Sequence, residues 1–353
     1  MALAPTHPVA LVLRALGMGD LLTAVPALRA LRAGMPGHRI VLAAPAQLAP
    51  LVELTGAVDE VLPAAALAPL DWASPLPDVA VNLHGSGPQS SRLLQALRPR
   101  RLVAYANAAA GTPGPSWRED EREAARWHRL VVEGLGLPAD PGGAERLELH
   151  VPAGPSPRPG AAVVHPGAGY GSRRWPAERF AAVVAGLRSR GLDVVVTGSG
   201  EERTLADGVA RDGGLAADSV LAGDLDLSSL AALVAAAAVV VSGDTGIAHL
   251  ATAYGTPSVV LFGPALPAVW GPPPGRDQHA VLWRGSGRGD LFAATPSPAL
   301  LALRVPEVLA AADRVLEGAG CRRGIDAAQL RRHCRGDEAD PGGQLALQAG
   351  RLR

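Results

Sequence analysis

Short apolar runs alternate with longer amphipathic stretches along most of the chain, and this alternation limits the fold more than any other feature. Residues 9–15 are predicted to form a buried strand, and residues 21–33 carry leucine and valine at helical spacing. The same order then repeats, which predicts an α/β fold with parallel sheets covered by helices on both faces. Further strands are predicted at 39–44, 79–83, 102–105, 161–165, 194–197, 238–242 and 258–262, and further helices at 48–55, 119–135, 176–190, 227–236, 247–254 and 305–316.

A proline-rich segment divides this pattern into two. Residues 151–160 contain four prolines and two glycines, a composition typical of a linker. A chain of 353 residues is long enough for two domains of ordinary size. We therefore expect two Rossmann-like, doubly wound domains, at 9–150 and 161–317, that face each other across a cleft. The polar, glycine-rich residues 318–353 are expected to form a flexible tail.

The charge composition excludes several classes of protein. The 33 basic and 33 acidic residues cancel, whereas proteins that bind nucleic acid carry a basic excess, so no nucleic-acid partner is expected. The chain contains no lysine, so a cationic contact with phosphate must come from arginine or protonated histidine. Cys321 and Cys334 lack a zinc-binding spacing and receive no role. A reduced, cytoplasmic chain without signal peptide or membrane span is expected.

The first glycine-rich turn follows the strand at 9–15 and places Gly17 and Gly19 before Asp20. Ligands of open α/β proteins bind at such turns. A dinucleotide-binding motif is disfavoured, because Leu22 stands where its third glycine is required and the second strand ends without an acidic residue. Two roles for Asp20 remain open from the residues alone, a helix cap and a general base.

The second glycine-rich turn spans residues 165–176. Gly167 and Gly169 would allow close approach of the backbone to a ligand, and Arg173 and Arg174 add positive charge. The start of the following helix offers unpaired N–H groups to an anion. The turn therefore suits a diphosphate, and a flexible loop with solvated arginines is the alternative.

Asp244, Thr245 and Gly246 follow the strand predicted at 238–242 and precede a helix that carries His249. They lie at the same sheet edge as the glycine-rich turn. Capping of that helix by Asp244 or Thr245 is the alternative to ligand binding, and His249 could equally be a core histidine.

Two other polar segments carry weaker signals. His84 and Gln89 follow the strand at 79–83 and point to the cleft, with an ordinary turn and a capped helix as the slightly preferred alternative. Asp224 and Asp226 resemble a metal-binding Asp-x-Asp pair but lack the apolar strand that precedes such a motif, which favours a surface loop. Neither a metal site nor a cofactor is predicted.

Taken in order, these motifs resemble glycosyltransferase family 9, the heptosyltransferase-like group. The resemblance spans roughly residues 9–274. It implies a GT-B fold with the acceptor bound by the first domain and the donor by the second. It also implies an inverting, metal-independent transfer of a sugar, a heptose in many members, from a nucleotide-diphosphate donor to a hydroxyl of a glycan or glycolipid. The pieces that match are 17–20, 165–168, 174–176, 243–246, 249–251, 255–257 and 261–264.

The resemblance also assigns roles to residues. Asp20 becomes the general base, and Arg173 stands where a phosphate-contacting lysine is usual. A lipopolysaccharide-type, lipid-linked acceptor would bring the protein into peripheral contact with a membrane. A nucleotide-sugar epimerase or hydrolase of the same shape and a non-catalytic binding protein remain alternatives. Donor-side residues are Gly167, Gly169, Arg173, Asp244, Thr245, Gly246 and His249, and acceptor-side residues are Gly17, Gly19, His84 and Gln89.

Overall fold

A computed structural model describes residues 7–73 and 75–322. Within these residues the chain forms two parallel five-stranded sheets, one on each side of the proline-rich segment. The first sheet contains β1 Val9–Leu13, β2 Arg39–Ala44, β3 Glu60–Pro63, β4 Val79–Asn82 and β5 Arg101–Val103. The second contains β6 Ala162–His165, β7 Val194–Val196, β8 Val239–Gly243, β9 Ser258–Phe262 and β10 His279–Trp283.

Helices connect the strands and cover the sheets, as the alternation predicts. Their bounds are α1 Met18–Gly34, α2 Ala49–Glu53, α3 Gln89–Gln95, α4 Glu123–Leu135, α5 Ala177–Arg188, α6 Arg203–Asp212, α7 Leu227–Ala235, α8 Gly246–Tyr254, α9 Pro267–Trp270, α10 Pro298–Leu301 and α11 Val305–Arg322. The α/β class is confirmed, and two doubly wound sheets of this kind constitute the GT-B fold.

The strand order places β1 and β6 inside their sheets. The first sheet runs β3-β2-β1-β4-β5 and the second β10-β9-β8-β6-β7. Leu11 of β1 pairs with Val41 on one side and Ala80 on the other. β1 is fully apolar and β6 is apolar up to His165, because both faces of each sheet are covered by helices.

The hydrophobic core continues from one half of the chain to the other. α1 packs against α4 of its own half and against α8 of the second half. Leu21, Leu28, Ile247 and Leu250 belong to this one buried cluster, all at most 1% exposed. The two sheets are therefore held with the N-terminal ends of α1 and α8 close together.

The structure corrects several predicted boundaries. α4 begins at Glu123 rather than at 119, because the guanidinium of Arg126 binds the carbonyl oxygens of Arg118, Glu119 and Glu121 and holds that segment out of the helix. The last helix continues to Arg322, so the expected tail at 318–353 begins as helix and otherwise lies outside the described residues.

Candidate active site

The predicted site residues flank the switch points of both sheets, where open α/β proteins bind ligands. In the first sheet this point lies between β1 and β4, and Asp20 and His84 follow these two strands. In the second sheet it lies between β6 and β8, and Arg173 and Asp244 follow those strands. Both halves thus contribute polar side chains from the carboxyl ends of their central strands.

The N-terminal ends of α1 and α8 touch each other through glycines. A Cβ atom at Gly19 would lie 2.9 Å from Cδ2 of His249, and one at Gly246 would collide with Met18. Gly19 lies in the first turn of α1, and Gly17 is the N-cap with φ −74°. Gly17 thus ends the connection between β1 and α1, whereas Gly19 lies inside the helix, where its small size allows the contact between the halves.

Asp20 lies in the first turn of α1 but does not cap it. The N-cap is Gly17, so the capping alternative for Asp20 is wrong. Its side chain is 30% exposed, and its Oδ1 lies 3.3 Å from Nη2 of the buried Arg14.

Buried polar atoms without a hydrogen-bond partner gather on the opposite side of the cleft. Asp244 is 4% exposed, and its Oδ2 lies 3.6 Å from Nη1 of Arg173, too far for a hydrogen bond. Buried polar groups are rarely left unpaired, so such a group of them indicates a polar ligand. The unpaired atoms here are Asp244 Oδ2, Thr245 Oγ1, Arg173 Nε and Trp175 Nε1.

Burial and neighbouring charges shift the pKa values of Asp244 and His249. Burial raises the pKa of Asp244, and the nearby Asp20 adds to the shift while His249 and Arg173 oppose it. Burial also lowers the pKa of His249, against the pull of Asp244 and Asp20. A protonated Asp244 would donate a hydrogen bond to an oxygen of a ligand, which an ionised carboxylate cannot do.

Helix capping does not explain Asp244 or Thr245. Thr245 occupies the N-cap of α8, but no side-chain hydrogen bond closes the cap, and its hydroxyl is unpaired. The capping alternative for these two residues is therefore wrong. The unclosed N-terminus leaves the first N–H groups of α8 available to an anion.

The glycines of the second turn differ in their surroundings. A Cβ atom at Gly167 would overlap the carboxylate of Glu202, so this position is filled by protein, whereas Gly169 is exposed and has open space around it. The Nε atom of Arg174 donates to the carbonyl of Ala168 at 2.9 Å and braces the loop. Arg173 is thus the arginine of the pair that faces Asp244.

Comparisons with known proteins bear on this geometry. The sequence model of "Glycosyltransferase family 9 (heptosyltransferase)" matches residues 125–288. This part of the chain is therefore similar to family 9 glycosyltransferases. It is 32% identical over 111 residues to lipopolysaccharide heptosyltransferase 2 of Escherichia coli K12, an alignment that covers 29% of this chain and 30% of that relative. The chain thus matches less than a third of the length of this curated relative.

Two solved structures share the fold over nearly the whole chain. The E. coli ADP-heptose lps heptosyltransferase II has a TM-score of 0.71 at 20% identity, covering 88% of this chain and 99% of that one. A glycosyl transferase family 9 structure from Veillonella parvula also has a TM-score of 0.71 at 20% identity, covering 90% and 100%. The family 9 match contains Arg173, Asp244 and His249, whereas Asp20 precedes it.

Asn82 organises the turn that follows β4 in the first half. Its side-chain amide donates to Ser90 Oγ at 2.9 Å and to Ser91 Oγ at 3.1 Å, and its oxygen accepts from the N–H of His84. These hydrogen bonds hold the turn after β4. α3 begins after Pro88, without a side-chain cap of its own. Gln89 is the exposed first residue of α3.

His84 itself faces the charged groups of the first half. Its Nδ1 is buried and unpaired. Burial and the nearby Arg14 lower its pKa, and Asp20 opposes the shift. A neutral imidazole with an unpaired nitrogen can bind a hydroxyl group either as donor or as acceptor.

Sequence reasoning missed two buried residues beside Asp20. Arg14 is 1% exposed and Glu123 is 5% exposed, and their side chains form an ion pair at 3.4 Å. The sequence feature that could have indicated Arg14 is a single charge at the end of an apolar strand. No sequence feature indicated Glu123, because α4, which carries it, is far from Asp20 along the chain.

Metal ligation and membrane insertion receive no support from the described part of the chain. There, no group of three or more His, Cys, Asp or Glu side chains is arranged to hold a metal ion. Asp226 caps α7 by accepting from the N–H of Ser229 at 2.7 Å, and Asp224 pairs with Arg203. None of the described helices has both the length and the apolar character that crossing a membrane requires.

Proposed function

We propose that this protein transfers a heptose from a nucleotide-diphosphate donor to a hydroxyl of a glycan or glycolipid, by an inverting and metal-independent reaction. The observation that carries the proposal is the meeting of Asp20 with Asp244, Arg173 and His249 between the two sheets. The E. coli protein that shares this fold is an ADP-heptose lps heptosyltransferase II, which supports ADP-heptose as the donor. Lipopolysaccharide is the acceptor class in the name of the curated relative.

The donor side suits a leaving nucleoside diphosphate. Negative charge grows on this group as the glycosidic bond breaks. Arg173 and the unclosed N-terminus of α8 supply positive charge there without rearrangement, which is how preorganised sites lower a barrier. Asp244, with its pKa raised by burial, would donate a hydrogen bond to a donor oxygen.

The acceptor side supplies the base. Asp20 is 30% exposed, so one of its oxygens can reach the attacking hydroxyl and take its proton. Asp20 belongs to the first half and Arg173 to the second. Attack from the side opposite the leaving group is a single displacement, which inverts the anomeric carbon.

The experiment is an assay of ADP release from ADP-heptose, with and without a heptose-deficient lipopolysaccharide acceptor. Transferase activity predicts release that depends on the acceptor, together with a heptosylated product of inverted anomeric configuration by NMR. Release without acceptor would instead favour a hydrolase, and a changed sugar on intact nucleotide would favour an epimerase. Donor binding without turnover would favour a binding protein.

A further inference from the structure

The guanidinium of Arg14 contacts Asp20 and the chain next to it. Arg14 follows β1 and is 1% exposed, although the residues before it are entirely apolar. Its Nε atom donates to the carbonyl of Asp20 at 3.0 Å, and its Nη2 atom lies 3.3 Å from Oδ1 of the same residue. Nη1 donates to the carbonyl of Leu83, next to His84. One guanidinium therefore fixes both the backbone and the side chain of Asp20.

A second carboxylate competes for the same guanidinium. Oε1 of Glu123 lies 3.4 Å from Nη2 of Arg14, the nitrogen that also faces Asp20. Glu123 is held by Arg126 and by the indole N–H of Trp127 at 2.7 Å. Glu123 is thus fixed in place independently of Arg14, and the positive charge of Arg14 is shared between two carboxylates.

This sharing affects how strongly Asp20 can accept a proton. A carboxylate beside an unshared buried arginine is stabilised in its ionised form and becomes a poor base. A carboxylate without the arginine would lose its orientation and bind its proton at higher pH. The catalytic optimum of a general base lies between these extremes.

We propose that Arg14 and Glu123 are positioning residues that together set the orientation and the basicity of Asp20. This inference rests on the proposed function, in which Asp20 is the base. The other ionisable groups that face Asp20 are His84, His249 and Asp244, with Arg173 behind Asp244. Burial lowers the pKa of both histidines and raises that of Asp244. Arg14 lies 3.3 Å from Asp20, and Glu123 binds the same guanidinium.

The test measures the pH dependence of kcat for ADP-heptose and lipopolysaccharide acceptor in the full chain. Arg14→Gln should move the acidic limb of the profile upward by about one pH unit, because an opposite charge at this distance stabilises the ionised form. Glu123→Gln should move the limb in the other direction. Arg14→Lys keeps the charge but not the fork of hydrogen bonds, so its limb should stay near that of the wild type while kcat falls about tenfold.

A matched control and two readouts separate this role from simple destabilisation. Glu121 is another partly buried carboxylate paired with an arginine, Arg129 at 2.7 Å, and Glu121→Gln should leave the acidic limb unchanged. The Kd for ADP should stay within about twofold in every variant, since the donor side is untouched. If Arg14→Gln does not fold, Arg14→Lys and Glu123→Gln still decide the matter.

The inference is overturned if Arg14→Gln and Glu123→Gln move the acidic limb in the same direction, or if neither moves it. Failure of the proposed function is distinguishable from this result. If Asp20→Asn retains turnover, Asp20 is not the base and the proposed mechanism fails. If Asp20→Asn is inactive while Arg14→Gln and Glu123→Gln keep the wild-type limb, only the positioning role is lost.

Discussion

The imidazole of His249 packs against the backbone of Gly19. A Cβ atom added at residue 19 would lie 2.9 Å from Cδ2 of the ring. This contact joins α8 of the second half to α1 of the first. Gly19 directly precedes Asp20 in α1, and His249 lies five residues after Asp244. The separation of Asp20 from Asp244 therefore depends on the absence of a side chain at residue 19.

Gly19→Ala should reduce turnover about tenfold or more while the protein stays folded, because small displacements of reacting groups are costly. Alanine favours helix and so would not by itself unfold α1. Gly208→Ala is the matched control, since Gly208 lies within α6 and a Cβ there would meet only Arg211 at 3.9 Å. The control should raise the melting temperature slightly and keep turnover. Equal turnover in the two variants would contradict the packing role of Gly19.

Much of the fold could be predicted from the sequence because its central strands are continuous apolar runs. β2 and β9 agree with prediction at both ends. The edge strands β3 and β10 were not predicted, and both are only partly buried. The edge strand β7 is fully buried and was predicted, because an apolar run reports burial rather than position in the sheet.

The site was predictable only in part, for a different reason. Asp20, Arg173 and Asp244 follow strands, so their positions could be inferred from the connection between a strand and the next helix. The contact between Arg14 and Glu123 joins residues far apart in the chain, and no local pattern encodes it. Likewise, nothing in the sequence indicated that Gly167 faces Glu202 rather than a ligand.

Arg173→Ala should weaken ADP binding by about 1.5–3 kcal/mol, the range for a hydrogen bond to a charged group. Arg174→Ala should weaken it less, because Arg174 donates to the carbonyl of Ala168 and acts only through the loop. Isothermal titration calorimetry with ADP measures both. Equal losses, or none, would make these arginines ordinary surface charges.

Asp244→Asn should stabilise the protein at neutral pH and impair donor binding. The pKa of Asp244 is raised in the folded state, so its favourable contribution to the free energy of unfolding is present below its ordinary pKa and is lost as the pH rises through the raised value. The melting temperature of the variant should therefore exceed that of the wild type by roughly 2 °C at pH 7, and the difference should shrink toward pH 4. Asp224→Asn, at an exposed site, is the control and should change little. A lower melting temperature for Asp244→Asn at pH 7 would contradict a raised pKa of Asp244 in the folded protein.

Activity should survive EDTA if the reaction is metal-independent. Asp224 and Asp226, which resemble a metal-binding Asp-x-Asp pair, are occupied by Arg203 and by the cap of α7. The measurement is ADP release before and after chelation. Complete loss that magnesium or manganese restores would refute metal independence and return attention to these two carboxylates.

The central claim concerns Asp20, and Asp20→Asn tests it most directly. Because the cap of α1 is Gly17, the amide should cost little stability, and the donor side lies on the other half of the cleft. The amide cannot accept the proton of the attacking hydroxyl, and loss of a general base typically costs roughly 10²–10⁴ in rate. The measurement is acceptor-dependent ADP release by the folded variant, with its Kd for ADP determined alongside. The account predicts an unchanged Kd and a loss of turnover in that range, and near-normal turnover would contradict it.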